Sequence, residues 1–232
     1  GQGPQHSQSL EVLFSHIPGL KVVAPSNAYD AKGLLKSSIE DKDPVIFFEH
    51  RWLHNIVGNV PKKNFKIKIG KANVIQKGKD ITIVSFSESL VQVMRINNLL
   101  KKYSVNAEII DLRSLRPLDE KTIIKSVKKT RNLIVVDNGW TKYGISSEII
   151  SLISEKAFKF LKSAPVKIGI KNVSIASSRE LAKFSYLDSK TILISILNVL
   201  NKKINIKNIN KDVKILQQFE TDIPYKDFNG PF

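Results

Sequence analysis

The strongest constraint on this chain is a run of short, apolar stretches, each divided from the next by a helix-like pattern. "PVIFFEH" (44–50) is almost wholly apolar, as a strand must be when both faces of its sheet are covered. "KVVAP" (21–25) precedes it. Between the two, Ala31, Leu34, Leu35 and Ile39 recur at helical spacing, with Ser26 or Asn27 placed to cap the helix. Strand, helix and strand in that order make a parallel crossover unit. A second series follows: "DITIVSF" (80–86), "AEIIDL" (107–112), "NLIVVD" (132–137) and "PVKIGI" (165–170). Their helices include one with Leu90, Val93, Met94 and Leu100 on its buried face, where Ser87 reads as the cap. Another is capped by Asp119, and a last one after Ser189 carries Ile192, Leu193, Ile196, Leu197 and Leu200. The fold class is therefore α/β, with a second open sheet built by right-handed crossovers. A helix is also expected over 7–16, with Leu10, Leu13 and Phe14 on one face.

Between the two series the text turns polar and lysine-rich. "FKIKIGKANVI" alternates, as an extended connector or a hairpin ending at Gly78 would. The expected boundaries are residues 1–63 for the first domain, 64–78 for a linker, 79–203 for the second domain and 204–232 for a surface extension.

Charge is divided unevenly. The 232 residues carry a net charge of +16. The first 60 hold five Lys/Arg against six Asp/Glu, and the remainder hold 32 against 15. A nucleic-acid surface would gather cations with stacking aromatics. Here the lysines are scattered along periodic helices, so nucleic acid is not the expected partner. The absence of cysteine rules out disulfides and thiolate chemistry, and it fits a reducing compartment, cytoplasm or organelle matrix. No apolar run approaches the 18 residues of a membrane-spanning helix.

Three places could carry chemistry. His6 lies in the glycine-rich turn "GQGPQHSQS", before a helix pattern; it either serves a bound ligand or bonds the helix start. "SSIEDKDP" (37–44) places Asp41 and Asp43 beside the carbonyls of Ser38 and Ile39 at a helix end. Hard oxygen donors of that kind suit a cation, and an ordinary turn looks the same. In "DLRSLRPLD" (111–119), Arg113 and Arg116 could bind phosphate or carboxylate, or pair with Asp111 and Asp119 to fix the turn. Trp140 and Tyr143 are large for a strand-end loop, which suggests an interface.

Taken together, "GQGPQHSQS", "GLKVVAPSNAYDAKGLLKSSIEDKDPVIFFEH", "GKDITIVSFS", "EIIDLRSLRPLDEKTIIKSVKKT" and "VVDNGW" resemble the beta subunit of thiamine-diphosphate-dependent 2-oxo acid dehydrogenases of the pyruvate and branched-chain type. The match runs in order from Gly1 to about Lys202. The resemblance implies part of a pyrimidine-binding thiamine-diphosphate domain followed by a transketolase C-terminal-like open α/β sheet. It implies that the chain is the C-terminal two-thirds of such a subunit, with the cofactor-activating glutamate on the part before Gly1, so that this stretch alone would be inactive. It implies a heterotetramer of two alpha and two beta subunits, with thiamine diphosphate shared between them and magnesium held mainly by alpha. In such an enzyme the thiamine carbon attacks the 2-oxo group, carbon dioxide leaves, and the acyl unit passes to a lipoyl acyltransferase. His6 matches the family's active-site histidine. Ser38, Ile39, Asp41 and Asp43 match a structural potassium site of some members, although the family often has Asn where Asp43 stands. The second domain would make subunit and acyltransferase contacts. "RWLHNIVGN", with Trp52 and His54, and the basic second half depart from the pattern. The alternatives are a portion of a transketolase or deoxyxylulose-phosphate synthase, or a non-catalytic assembly module.

Overall fold

The computed structural model describes residues 2–54 and 56–216. The chain opens with one helical turn, α1 (Gly3–His6), then a short helix, α2 (Glu11–Ser15). These replace the single helix expected over 7–16. Pro4 sets the first turn early, and the chain leaves helical geometry at Ser7 before restarting at Glu11. Of the three apolar residues that suggested the longer helix, Phe14 packs inward, edge-on to Phe48 at 5.6 Å, while Leu10 and Leu13 are exposed.

Next come β1 (Lys21–Val23), α3 (Ala28–Ile39) and β2 (Val45–Phe47), with β1 and β2 parallel and Lys21 opposite Val45. Asn27 caps α3 by accepting the Asp30 N–H at 2.9 Å. The second series runs β3 (Asn73–Gln76), β4 (Ile81–Ser85), α4 (Ser87–Lys102), β5 (Ala107–Asp111), β6 (Ser114–Arg116), α5 (Glu120–Thr130), β7 (Leu133–Trp140), α6 (Ile145–Ala157), β8 (Val166–Ile170), α7 (Arg179–Ala182), α8 (Ser189–Val199) and α9 (Ile206–Leu216). Five strands form the larger sheet in the order β3-β5-β4-β7-β8, all parallel except β3. One face packs against α4, α8 and α9, and the other against α5, α6 and the first domain through Val22 and Ala24.

Four details differ from the sequence reading. The end of the expected linker is β3, which pairs antiparallel with β5 rather than folding into a local hairpin. Gly78 lets the chain turn there: a Cβ on it would lie 2.1 Å from the Ala107 carbonyl carbon. Second, β6 leaves the second domain and joins the first sheet, giving the order β2-β1-β6 with β1 and β6 antiparallel. Third, the start of the expected surface extension is α9. Its Ile209 and Val213 are buried against α4 and α8 at helical spacing, a burial worth about 1.5–3 kcal/mol per side chain. Asp212 anchors the same helix, accepting from Lys102 Nζ at 2.6 Å and Tyr103 Oη at 2.9 Å. "DIPYKDFNGPF" lies outside the described residues. Fourth, Ser87 is not a cap. Phe86 is extended and holds that place, and Asn138 Oδ1 on β7 accepts the Ser89 N–H at 2.6 Å.

Candidate functional site

In open parallel sheets, ligands usually enter where neighbouring crossovers run in opposite directions. Here that point lies between β4 and β7, and side chains fill it. Ser85 Oγ and Ser89 Oγ are 2.8 Å apart and lie 3.0 and 3.1 Å from the Val136 carbonyl oxygen, beside the Asn138 bond to Ser89. All three side chains are buried. The usual ligand position of the second domain is thus part of its core.

His6 ends α1, so it closes a helical turn rather than preceding one. Its side chain is exposed. The turn is held from behind. Gly3, at φ +71°, sits so close to Ser177 that a Cβ would lie 2.5 Å from its Oγ. Gln8 Nε2 donates to the Pro4 carbonyl at 2.5 Å, and Arg51 Nη1 donates to Gln2 Oε1 at 2.9 Å. The imidazole is thereby presented outward from a fixed turn, flanked by the exposed Gln2, Pro4 and Gln5. These residues line an open face and do not enclose a site.

At the turn after α3, Lys21 Nζ lies 2.6 Å from Asp41 Oδ1 and 2.9 Å from Asp43 Oδ2. Its hydrogen bond, with help from the Asp43 N–H, holds the Asp41 carboxyl below the usual range; both carboxylates hold Lys21 above its own. The Ser38 carbonyl accepts the Asp41 N–H at 3.4 Å, Ser38 Oγ donates to Leu34 O at 2.8 Å, and the Ile39 side chain is exposed. The positive charge this turn requires is covalently present as Lys21. Lys21 is thus the counter-charge of these two carboxylates among the described residues. Exchanging KCl for NaCl is expected to move the melting temperature by less than about 1 °C, whereas Lys21→Met lowers it by a few degrees. Thermal unfolding of both proteins in both salts checks this, and a salt-specific shift larger than that of Lys21→Met would reverse the assignment.

The guanidinium groups of the two arginines of 111–119 bond to residues other than Asp111 and Asp119. Arg113 Nη2 reaches Asp30 Oδ1 on α3 at 2.6 Å, and Arg116 Nη1 donates to the Ser15 carbonyl at the end of α2 at 2.7 Å. Both cross from the second domain into the first. Asp119 instead accepts from Thr122 and from the Ala72 N–H at 3.2 Å. Asp111 is fully buried; its Oδ1 takes the Arg113 N–H at 3.1 Å. Burial first, and then the negative charge of Asp30, push its carboxyl up to about 7. Asp111 Oδ2, Arg113 Nε and Ser26 Oγ are buried there without hydrogen-bond partners among the described residues.

The remaining candidates are structural or exposed. Trp140 Nε1 donates to Val173 O at 2.9 Å, and Tyr143 stands 87% exposed. The Trp52 ring lies 6.3 Å from that of Tyr186, and the Trp52 backbone N–H donates to His50 Nδ1 at 3.3 Å. His54 Nε2 is 3.5 Å from Glu49 Oε2. Burial pushes the His50 imidazole down. Sequence reasoning missed Glu11 and Asp30, two buried carboxylates. Each stands in the first turn of a helix, where an acid is expected on helix-dipole grounds alone.

Comparison with known proteins agrees with this architecture. Residues 70–192 match the family model of the transketolase C-terminal domain, and residues 1–55 match that of the transketolase pyrimidine binding domain. The pyruvate dehydrogenase E1 component subunit beta of Acholeplasma laidlawii is 43% identical over 175 residues, covering 75% of this chain and 54% of that protein. The acetoin:2,6-dichlorophenolindophenol oxidoreductase subunit beta of Cupriavidus necator is 45% identical over 159 residues, covering 68% and 47%. The chain spans roughly half of the length of the curated relatives it matches. A solved structure described as a split gene transketolase, inactive beta4 tetramer, superposes with a TM-score of 0.68 at 20% identity, covering 84% of this chain and 62% of the other, which bears on the fold alone. With more than half of its length matched by one family model and its opening matched by the adjoining one, this chain belongs to the transketolase family, as its C-terminal domain joined to part of the pyrimidine binding domain.

Proposed function

We propose that this chain is the larger part of the beta subunit of a thiamine-diphosphate-dependent 2-oxo acid dehydrogenase, acting with an alpha subunit to decarboxylate a 2-oxo acid and pass the acyl unit to a lipoyl acyltransferase. The observation that carries the reading is the 43–45% identity to pyruvate dehydrogenase and acetoin oxidoreductase beta subunits over 68–75% of this chain. When bound, thiamine diphosphate would supply the nucleophilic carbon and the electron sink for decarboxylation, with magnesium on the alpha side. His6 would supply proton transfer at the open face of α1. A neutral imidazole can give or take a proton near pH 7, and its fixed turn keeps it aimed. The filled crevice between β4 and β7 supports a second domain that joins subunits and binds the acyltransferase, not one that does chemistry. Absent cysteine and a reducing cytoplasm or organelle matrix go together in this reading.

The test is reconstitution. The subunit containing this chain is combined with an alpha subunit, thiamine diphosphate and magnesium, and carbon dioxide release from pyruvate and from a branched 2-oxo acid is measured beside cleavage of acetoin. Release is expected from a 2-oxo acid, and only when both subunits are present. Cleavage of acetoin alone would move the chain to the acetoin branch. A stable complex without turnover of any of the three would make it an assembly module.

A further inference from the structure

Between α2 and the loop after β7 the fold leaves a cavity of about 270 Å³, close to the lower end of the range for small-molecule sites. Leu10 and Leu13 form one wall, and Trp140 and Tyr143 the other. Two carboxylates face it, and their situations differ. Asp137, from β7, is fully engaged: it accepts the Gly139 N–H at 2.9 Å and the Ser146 N–H at 2.8 Å, and so caps α6. Glu11, from α2, is 7% exposed, and no cation among the described residues pairs with it. Its one hydrogen bond is to its own N–H. Burial, with Asp137 adding negative charge, pushes the Glu11 carboxyl up to about 7. An acid is thus held in the wall of a cavity with its counter-charge missing.

We propose that this cavity binds a small organic cation, with a primary ammonium group against Glu11 and a short apolar body between Leu13, Trp140 and Tyr143. A bare metal ion is a poor match. Asp137 is committed to backbone donors, and no group of three or more His, Cys, Asp or Glu suited to a metal occurs among the described residues. An anion would meet two carboxylates. An ammonium on an apolar stem fits both halves of the lining, and the indole face adds attraction for a cation. Lys142 is the other charged residue at the cavity; it is exposed, so its ammonium stays in water. Binding requires ionised Glu11, and so releases a proton below about pH 7. Affinity therefore rises with pH up to that point and then levels. Asp137 on β7 and Lys142 in the loop face the same space; burial pushes the Asp137 carboxyl up, against the pull of its two N–H donors. The inference does not depend on the proposed enzymatic role.

The experiment is an NMR titration of the full chain with butylammonium, with butanol as the neutral isostere, at pH 6 and pH 8. Saturable shifts are expected at residues 8–13 and 139–145, with dissociation constants in the millimolar range and roughly tenfold tighter binding at pH 8. Butanol and the Glu11→Gln variant are each expected to bind about tenfold more weakly, and the variant without pH dependence. If Glu11→Gln does not fold, Tyr143→Ala, at an exposed position, is expected to weaken binding several-fold. Equal binding of butanol and butylammonium, binding independent of pH, or no shifts at these residues would each overturn the proposal.

Discussion

His6→Asn, in the enzyme assembled from this subunit and an alpha partner, is expected to lower turnover about tenfold to a thousandfold, the scale of lost acid–base assistance. Asparagine keeps a polar group of similar reach but cannot titrate. The side chain is exposed and the turn is held by Gly3, Gln8 and Arg51, not by the imidazole, so folding and assembly have no reason to suffer. The measurement is steady-state turnover of the 2-oxo acid, with the melting temperature and the heterotetramer fraction recorded on the same preparation. Turnover within twofold of the parent would remove His6 from the chemistry. A parallel fall in assembly would show that the residue serves the interface instead.

The second large effect is expected at Arg113. It is the one cation paired with Asp30 among the described residues, and Asp111 lies beside it without any cation of its own. Arg113→Met keeps most of the apolar length but leaves Asp30 as a buried, unpaired charge. Breaking a buried pair in this way costs about 3–5 kcal/mol. Adding Asp30→Asn removes the stranded charge and is expected to recover more than half of the loss. Urea unfolding of the two proteins, compared with the parent, reads both numbers. A loss below about 1 kcal/mol in the single variant would mean that the junction does not depend on the pair.

Asp111 gives the same junction a pH dependence. Its carboxyl titrates near 7 in the fold, above the ordinary value of 3.8. A raised folded value means that the native state holds a proton the unfolded chain releases. The resulting stability is fully present below about pH 4 and is lost as pH rises through 7. Asp111→Asn carries that neutral state permanently. It is expected to match the parent below about pH 4, to exceed it increasingly as pH rises, and to level off above pH 7 with an excess on the order of 4 kcal/mol, at about 1.4 kcal/mol per pH unit. Equal stability of the two proteins from pH 4 to pH 8 would show that the fold does not raise the carboxyl.

The sheets were readable because their strands are apolar on both faces and their helices carry single stripes. "DITIVSF" and "NLIVVD" have no other plausible fate in a chain that alternates in this way. What could not be read was set by partners distant in sequence. Ser114–Arg116 is too short and too polar to announce a strand, and it becomes one only because β1 offers its free edge. The stripe of Ile209 and Val213 lies in an Asn- and Lys-rich setting, and burial against α4 and α8 decides it. At the candidate sites, residue types were legible but their partners were not. Asp41 and Asp43 face Lys21, some twenty residues away, and Arg113 answers Asp30 across 83. Glu11 gave no signal, since an acid opening a helix is the ordinary case.

The return of β6 to the first sheet bears on how the molecule comes to be folded. Val22 meets Arg116, about ninety residues later in the chain. The small sheet therefore cannot reach its final width while the chain emerges in order, because its third strand is made only after β4, α4 and β5 have been synthesised. Closing so long a loop is a slow, entropically costly event, best achieved once β4 and β5 have paired and already hold residue 111 in place. The larger sheet is then the template, and the earlier-made part of the chain is the one that waits. A nascent chain halted before residue 114 would display β1 with an open edge, a surface prone to pairing with other chains. Division of the chain within the connector would separate two pieces of sequence but not two independent units of folding.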